Sequence, residues 1–102
     1  MATFHVVYPS DKLAEGQPRA VQHLGVDLLL VRLDGAVYAL ENNCTHDDYP
    51  LTEGTCEHGE IVCPLHGARF AIRTGEVLSP PAFDDLRSFP TREVAGQVEV
   101  AL

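Results

Sequence analysis

Residues 44–46 read C-T-H and residues 63–66 read C-P-L-H, with sixteen residues between the two stretches. Each stretch offers one thiol and one imidazole. Zinc sites more often pair like with like, C-x-x-C with H-x-x-x-H. Sulfur and nitrogen donors of this kind suit zinc or iron–sulfur chemistry, and two arrangements compete. One tetrahedral zinc takes all four side chains. Alternatively, a two-iron, two-sulfide cluster takes both sulfurs on one iron and both imidazoles on the other. The second arrangement gives the mixed loops a reason, because two loops flanking a diatomic cluster can each reach one iron with Cys and the other with His.

Outward from these stretches the chain reads as short strands between turn signals. Thr3–Tyr8 is expected to be an edge strand stopped by Pro9, and Ser10-Asp11 to cap one helical turn running to Glu15. Arg19–His23 and Val26–Leu33 read as strands, with Asp34-Gly35 as the hairpin turn leading to Ala36–Leu40. Ser88–Val94 and Gln97–Leu102 form a second expected hairpin about Ala95-Gly96, with Val98, Val100 and Leu102 alternating as a half-buried strand should. No window of helical period is long enough for a core helix. From Glu41 to Glu60 the chain is loop-rich, with six acidic residues and no basic one. Long loops within small domains are usually functional. The expectation is all-β: a β base of residues 1–41 and 76–102, with a site module inserted at about 42–75, all in one domain of residues 1–102.

A chain of 102 residues suits one domain with a modest core. Seven basic and fifteen acidic residues give a formal charge of −8, which argues against nucleic-acid binding and fits a soluble protein, its acids serving either solubility alone or docking on a positive surface. The longest apolar run, Leu28–Val31, is far short of the ~20 residues of a membrane span. No signal segment is read at the N-terminus. Three cysteines are an odd number, which speaks against a disulfide framework and for a reducing cytoplasm.

The pattern C-x-H, sixteen residues, C-x-x-H resembles the Rieske iron–sulfur family at all four positions. The likeness continues through H-G-A-R-F-A-I-R-T-G-E-V at 66–77 and S-P-P-A at 79–82, and includes F-P-T-R-E-V near the end. The length is similar to that of the free-standing Rieske ferredoxins of bacterial ring-hydroxylating dioxygenase systems. The resemblance implies an antiparallel β base domain with a smaller cluster-binding subdomain. It further implies one [2Fe–2S] cluster, with Cys44 and Cys63 on one iron and His46 and His66 on the other. The implied role is a one-electron carrier and not an enzyme. It would take electrons from an NAD(P)H-dependent flavin reductase and pass them to a terminal oxygenase with its own Rieske centre. A monomer is expected, since a shuttle must present one tip to two partners in turn. Two other roles are a Rieske-like small subunit of a larger reductase, such as a nitrite reductase, and a structural zinc module.

Departures from the respiratory branch of that family bear on potential. Its loop-tying cysteines correspond here to Tyr49 and Leu65, so that disulfide cannot form. Its cluster-bonding Ser and Tyr correspond to Ala68 and Phe70, which lack hydroxyls. Fewer donors and nearby acids imply a low-potential centre.

Other residues invite plainer readings. Gly67 would let the loop backbone approach the cluster, Pro64 stiffens the loop, and Pro80-Pro81 resembles the family's cluster-covering segment. Thr74-Gly75 reads as a plain hairpin turn. Cys56 is read as a structural or partly exposed thiol, not a ligand. His5, His23 and His58 lack ligand spacing. Asp47 and Asp48 are candidates for a docking rim or a solvated loop, and Arg69 and Arg73 for pairing with local acids.

Overall fold

The apolar run Leu28–Val31 lies at the centre of the molecule, and all four side chains are fully buried. A half-exposed strand would alternate, so an unbroken run of this kind requires cover on both faces. In the computed structural model, which describes residues 3–45, 49–65, 67–80 and 82–102, that cover comes from two further sheets. The strands are β1 (Phe4–Pro9), β2 (Arg19–His23), β3 (Val26–Leu33), β4 (Ala36–Glu41), β5 (Thr55–Glu57), β6 (Glu60–Val62), β7 (Arg69–Ala71), β8 (Val77–Ser79), β9 (Ser88–Phe89), β10 (Thr91–Val94) and β11 (Gln97–Ala101). They form three sheets, ordered β1-β11-β10, β2-β3-β4-β9 and β5-β6-β7-β8. Every pairing between them is antiparallel. The expected all-β class is what the chain adopts.

The second sheet is the shared wall. Its register places Leu30 opposite Ala39 and Leu29 opposite Leu40. Leu28, Leu30, Val37 and Ala39 pack against Val98 and Val100 of the first sheet. Leu29, Val31 and Leu40 point the other way, packing with Ile61, Phe70 and Ile72 of the third sheet's region and with Cys44 and Cys63. The two-residue side-chain period of β3 and β4 therefore serves one core shared with the first sheet and one shared with the third.

Several local expectations shift. The stretch read as loop between Glu41 and Glu60 contains a 3-10 turn, Leu51–Glu53, and the hairpin β5–β6. Each of those strands has three residues, too few for alternation to be read. The strand expected at Ser88–Val94 is two strands, with β9 paired to β4 and β10 to β11. Pro90 separates them, because it has no N–H to offer a ladder. The turn after β1 is a 3-10 turn of three residues, Ser10–Lys12, preceded by Pro9 and with no side-chain cap, in place of a Ser/Asp-capped turn to Glu15. The third sheet takes in Val77–Ser79, with Val77 opposite Phe70, so its strands extend past residue 75.

Four two-residue turns share one backbone form, with positive φ at Leu24-Gly25, Asp34-Gly35, His58-Gly59 and Ala95-Gly96. This is the turn whose twist matches antiparallel strands. Gly75 is a different case. Its φ is +82°, and a Cβ there would stand 2.4 Å from the carbonyl oxygen of Leu86. Gly75 is thus a buried contact point, so Thr74-Gly75 is not a plain turn. Gly75 also accepts a hydrogen bond from the Leu86 N–H at 2.8 Å.

Candidate metal centre

β4 ends at Glu41 and delivers the chain into the first loop; β6 ends at Val62 and delivers it into the second. The two loops close in the same way. The Cys44 N–H donates to the Tyr49 carbonyl at 2.8 Å, and the Cys63 N–H donates to the Ala68 carbonyl at 2.8 Å. In each case the bond returns to the cysteine from five residues on, so each loop is a short closed finger rooted at a thiol. The second finger is tightened by the Gly67 N–H donating to the Cys63 carbonyl at 3.1 Å. Gly67 has φ +76° and open space where a Cβ would be, so the turn geometry is what calls for glycine among the described residues.

Both thiols are buried, Cys44 at 0% and Cys63 at 1% exposure, and both belong to one apolar cluster. No disulfide joins any of the three cysteines. His46 and His66, the imidazoles expected at the same centre, lie outside the described residues, as do Asp47, Asp48 and Pro81. Two buried thiols free of a disulfide, each at the root of a closed finger, match the soft donor pair that an iron–sulfur cluster or a zinc ion takes.

Ala68 and Phe70, the positions without hydroxyls, are fully buried beside the thiols in that cluster. Tyr49 sits at the end of the first finger, and Leu65 is 51% exposed in the second. Cys56 belongs to neither finger. It lies on β5 opposite Ile61, packs partly against the core, and burial pushes its thiol pKa up. His58 is exposed in the β5–β6 turn.

The segment after Pro80 is tied down at several points. Thr45 Oγ1 donates to the Asp84 carbonyl at 2.8 Å, which joins it to the first finger. The Val77 N–H donates to Asp85 Oδ1 at 2.9 Å, and the Arg87 N–H donates to Glu41 Oε1 at 2.7 Å. Ala82 and Leu86 are buried, whereas Phe83 is 84% exposed.

One structural residue carried no signal beyond its turn propensity. Asn42 Oδ1 accepts from the backbone N–H of Leu51 at 2.9 Å and of Thr52 at 3.2 Å, and its Nδ2 donates to Thr52 Oγ1 at 2.7 Å. It spans the mouth of the first finger. Replacement by Ala strips both N–H groups of their acceptor, and Leu51 is fully buried. The expected cost is about 1–3 kcal/mol, with Asn42→Asp recovering part of it by keeping the acceptor. Urea denaturation of the three proteins checks this order.

The acidic stretch is less bare than its composition suggests. Arg69 bonds Glu57 and Glu60, and Glu41 is occupied by the Arg87 N–H. Arg73 reaches away from the module to Asp34 in the β3–β4 turn at 2.7 Å, and lies over the Tyr38 ring. The expected local pairing therefore holds for Arg69, whereas Arg73 straps the module to the base.

Comparison with known proteins gives this geometry a context. The Rieske [2Fe–2S] domain model matches residues 3–90. The biphenyl dioxygenase ferredoxin subunit of Pseudomonas sp. (strain KKS102) is 34% identical over 91 residues, covering 88% of this chain and 84% of that protein. The ferredoxin of carbazole 1,9a-dioxygenase from Nocardioides aromaticivorans IC177 is similar in structure, with a TM-score of 0.91 at 32% identity over 96% of each chain. A ferredoxin chain in a complex of reduced oxygenase and oxidised ferredoxin of carbazole 1,9a-dioxygenase gives 0.89 at 33% identity, covering 96% of this chain and 92% of that one. Among the described residues, no helix is long and apolar enough to cross a membrane.

Proposed function

The chain belongs to the Rieske [2Fe–2S] domain family, and we propose that it is the ferredoxin component of an aromatic ring-hydroxylating dioxygenase system, with Cys44 and Cys63 holding one iron of its cluster and His46 and His66 the other. The observation that carries this reading is the matched pair of fingers, each closed by its cysteine N–H and each burying its thiol in one core. When bound, the cluster supplies a one-electron couple. The protein's own part is to fix the two thiols and shield them with apolar packing. The expected division into a base of residues 1–41 and 76–102 and a cluster-binding subdomain of about 42–75 needs its second boundary moved past β8, because Val77–Ser79 pair within the third sheet.

The terminal oxygenase is one partner, as supported by the similarity to a ferredoxin found in complex with its oxygenase. Exposed Leu65 and Phe83, on the second finger and the segment after Pro80, suit a small transient contact of the electron-transfer kind. The other partner is an NAD(P)H-dependent flavoprotein reductase. With a formal charge of −8, association with a basic partner surface weakens as salt rises. The carrier works as a monomer in the cytoplasm, where thiols stay reduced.

Iron and sulfide analysis of the purified red-brown protein is expected to give about two of each per chain. Cys44→Ser, Cys63→Ser, His46→Ala and His66→Ala each lose the visible spectrum, while Cys56→Ser keeps it. A colourless protein holding one zinc overturns the reading. Because Ala68 and Phe70 offer no hydroxyl to the buried centre, the midpoint is expected at the low end of the Rieske span of about −150 to +300 mV, and a titration above about +100 mV contradicts that.

A further inference from the structure

His5 and His23 have no place in the cluster motif, yet the fold brings them together. His5 is on β1 of the first sheet and His23 is the last residue of β2 in the second. Their ring centroids are 5.1 Å apart and the rings are tilted by 51°. Both residues are half-buried. Among the described residues no side-chain hydrogen bond reaches either ring, and no ring nitrogen is sealed from solvent. The two imidazoles, held on separate sheets, touch each other and keep their ring nitrogens open to water.

We infer that His5 and His23 form a two-imidazole site for a divalent transition cation such as Zn²⁺, separate from the cluster. A Zn–N bond is about 2.0–2.1 Å, so two imidazoles on one tetrahedral ion have centroids roughly 5 Å apart. The observed centroid separation of 5.1 Å matches that distance, and no third His, Cys, Asp or Glu joins the pair among the described residues. Imidazole is a preferred donor for zinc, copper and nickel, and water completes the remaining positions. β1 pairs in its own sheet with β11 alone. An ion shared with β2 therefore staples an edge strand across the sheet boundary, and it stabilises the folded state because an unfolded chain offers no such pair. Neither strand carries a cluster finger, so this site stands independently of the proposed electron-transfer role.

The test uses the cluster-loaded chain of residues 1–102, in which the proposed function has His46 and His66 occupied. Calorimetric titration with Zn²⁺ is expected to show one saturable site, and the melting midpoint followed by cluster absorbance to rise with Zn²⁺. H5Q and H23Q each keep the cluster spectrum and weaken zinc binding by about tenfold or more. Absence of saturable binding in the unaltered protein, or binding that survives both substitutions, overturns the inference. Should either variant fold poorly, Cu²⁺ electron paramagnetic resonance on the unaltered, oxidised protein decides: two coordinated imidazole nitrogens support the site, and fewer refute it.

Discussion

Gly54→Ala is expected to destabilise the protein by about 3 kcal/mol or more and to loosen the cluster. Gly54 sits between the 3-10 turn and β5, with φ −80° and ψ −177°, a conformation open to any residue. Space is what forbids a side chain there. A Cβ would lie 2.1 Å from the Val62 carbonyl oxygen and 3.1 Å from that of Leu51. Both neighbours are backbone, so neither can swing aside. Relief requires β5 to part from β6 where Thr55 opposes Val62, immediately before Cys63. The contrast is Gly35→Ala, where φ is +83° but no atom lies within 4 Å. That change carries a backbone penalty of about 1 kcal/mol. Denaturation curves, with iron retention measured alongside, test the order; equal costs would show that the module tolerates a shifted β5.

The second large effect centres on Arg32, where alanine is expected to cost about 2–4 kcal/mol. Arg32 Nε donates to the Leu13 carbonyl at 2.8 Å, Nη1 to the Gly35 carbonyl at 2.9 Å, and Nη2 to the Ser10 carbonyl at 3.1 Å. The same guanidinium grips Glu93 of β10 through Nη2 at 2.8 Å and Nη1 at 3.3 Å. One side chain, 18% exposed, thus joins β3, the 3-10 turn, a hairpin and the first sheet. Arg32→Lys keeps the charge but not the planar fork, so it recovers only part of the loss. The effect depends on pH in a definite direction. The hydrogen bond from Arg32 holds the Glu93 carboxyl below its ordinary 4.5. A depressed carboxyl stabilises the fold above its unfolded pKa, and that contribution fades as pH falls through the lower folded value. The gap between wild type and Arg32→Ala therefore narrows below pH 4.5 and is constant from there to neutrality. The Arg32 guanidinium, whose pKa is raised by its hydrogen bond to Glu93, stays charged throughout this range and adds no pH dependence of its own. Urea midpoints at pH 3 to 7 decide it.

Much of the base was legible because its signals are local. Leu28–Val31 is a continuous apolar run, Asp34-Gly35 and Ala95-Gly96 are turn pairs, and β11 alternates. The module's strands were harder to see, since β5 and β6 are short and the Glu57 and Glu60 side chains look like loop residues until Arg69 is found between them. The split at Pro90 could be read as a break, but nothing nearby says that β9 and β10 join different sheets.

The residues alone supply the proposed donors: two thiols and two imidazoles stand at 44, 46, 63 and 66, and their spacing restricts the chemistry to a few metals. They also set the absence of hydroxyls at Ala68 and Phe70. The folded chain settled which faces of β3 look into which core, that both fingers close from cysteine N–H to a carbonyl five residues on, and that Asn42, Gly54, Gly75 and Arg32 are structural joints. Those joints are made largely with backbone N–H and carbonyl groups, several of them distant in the chain. Every residue but proline carries the same backbone donor and acceptor, so no side-chain pattern marks which of them will meet.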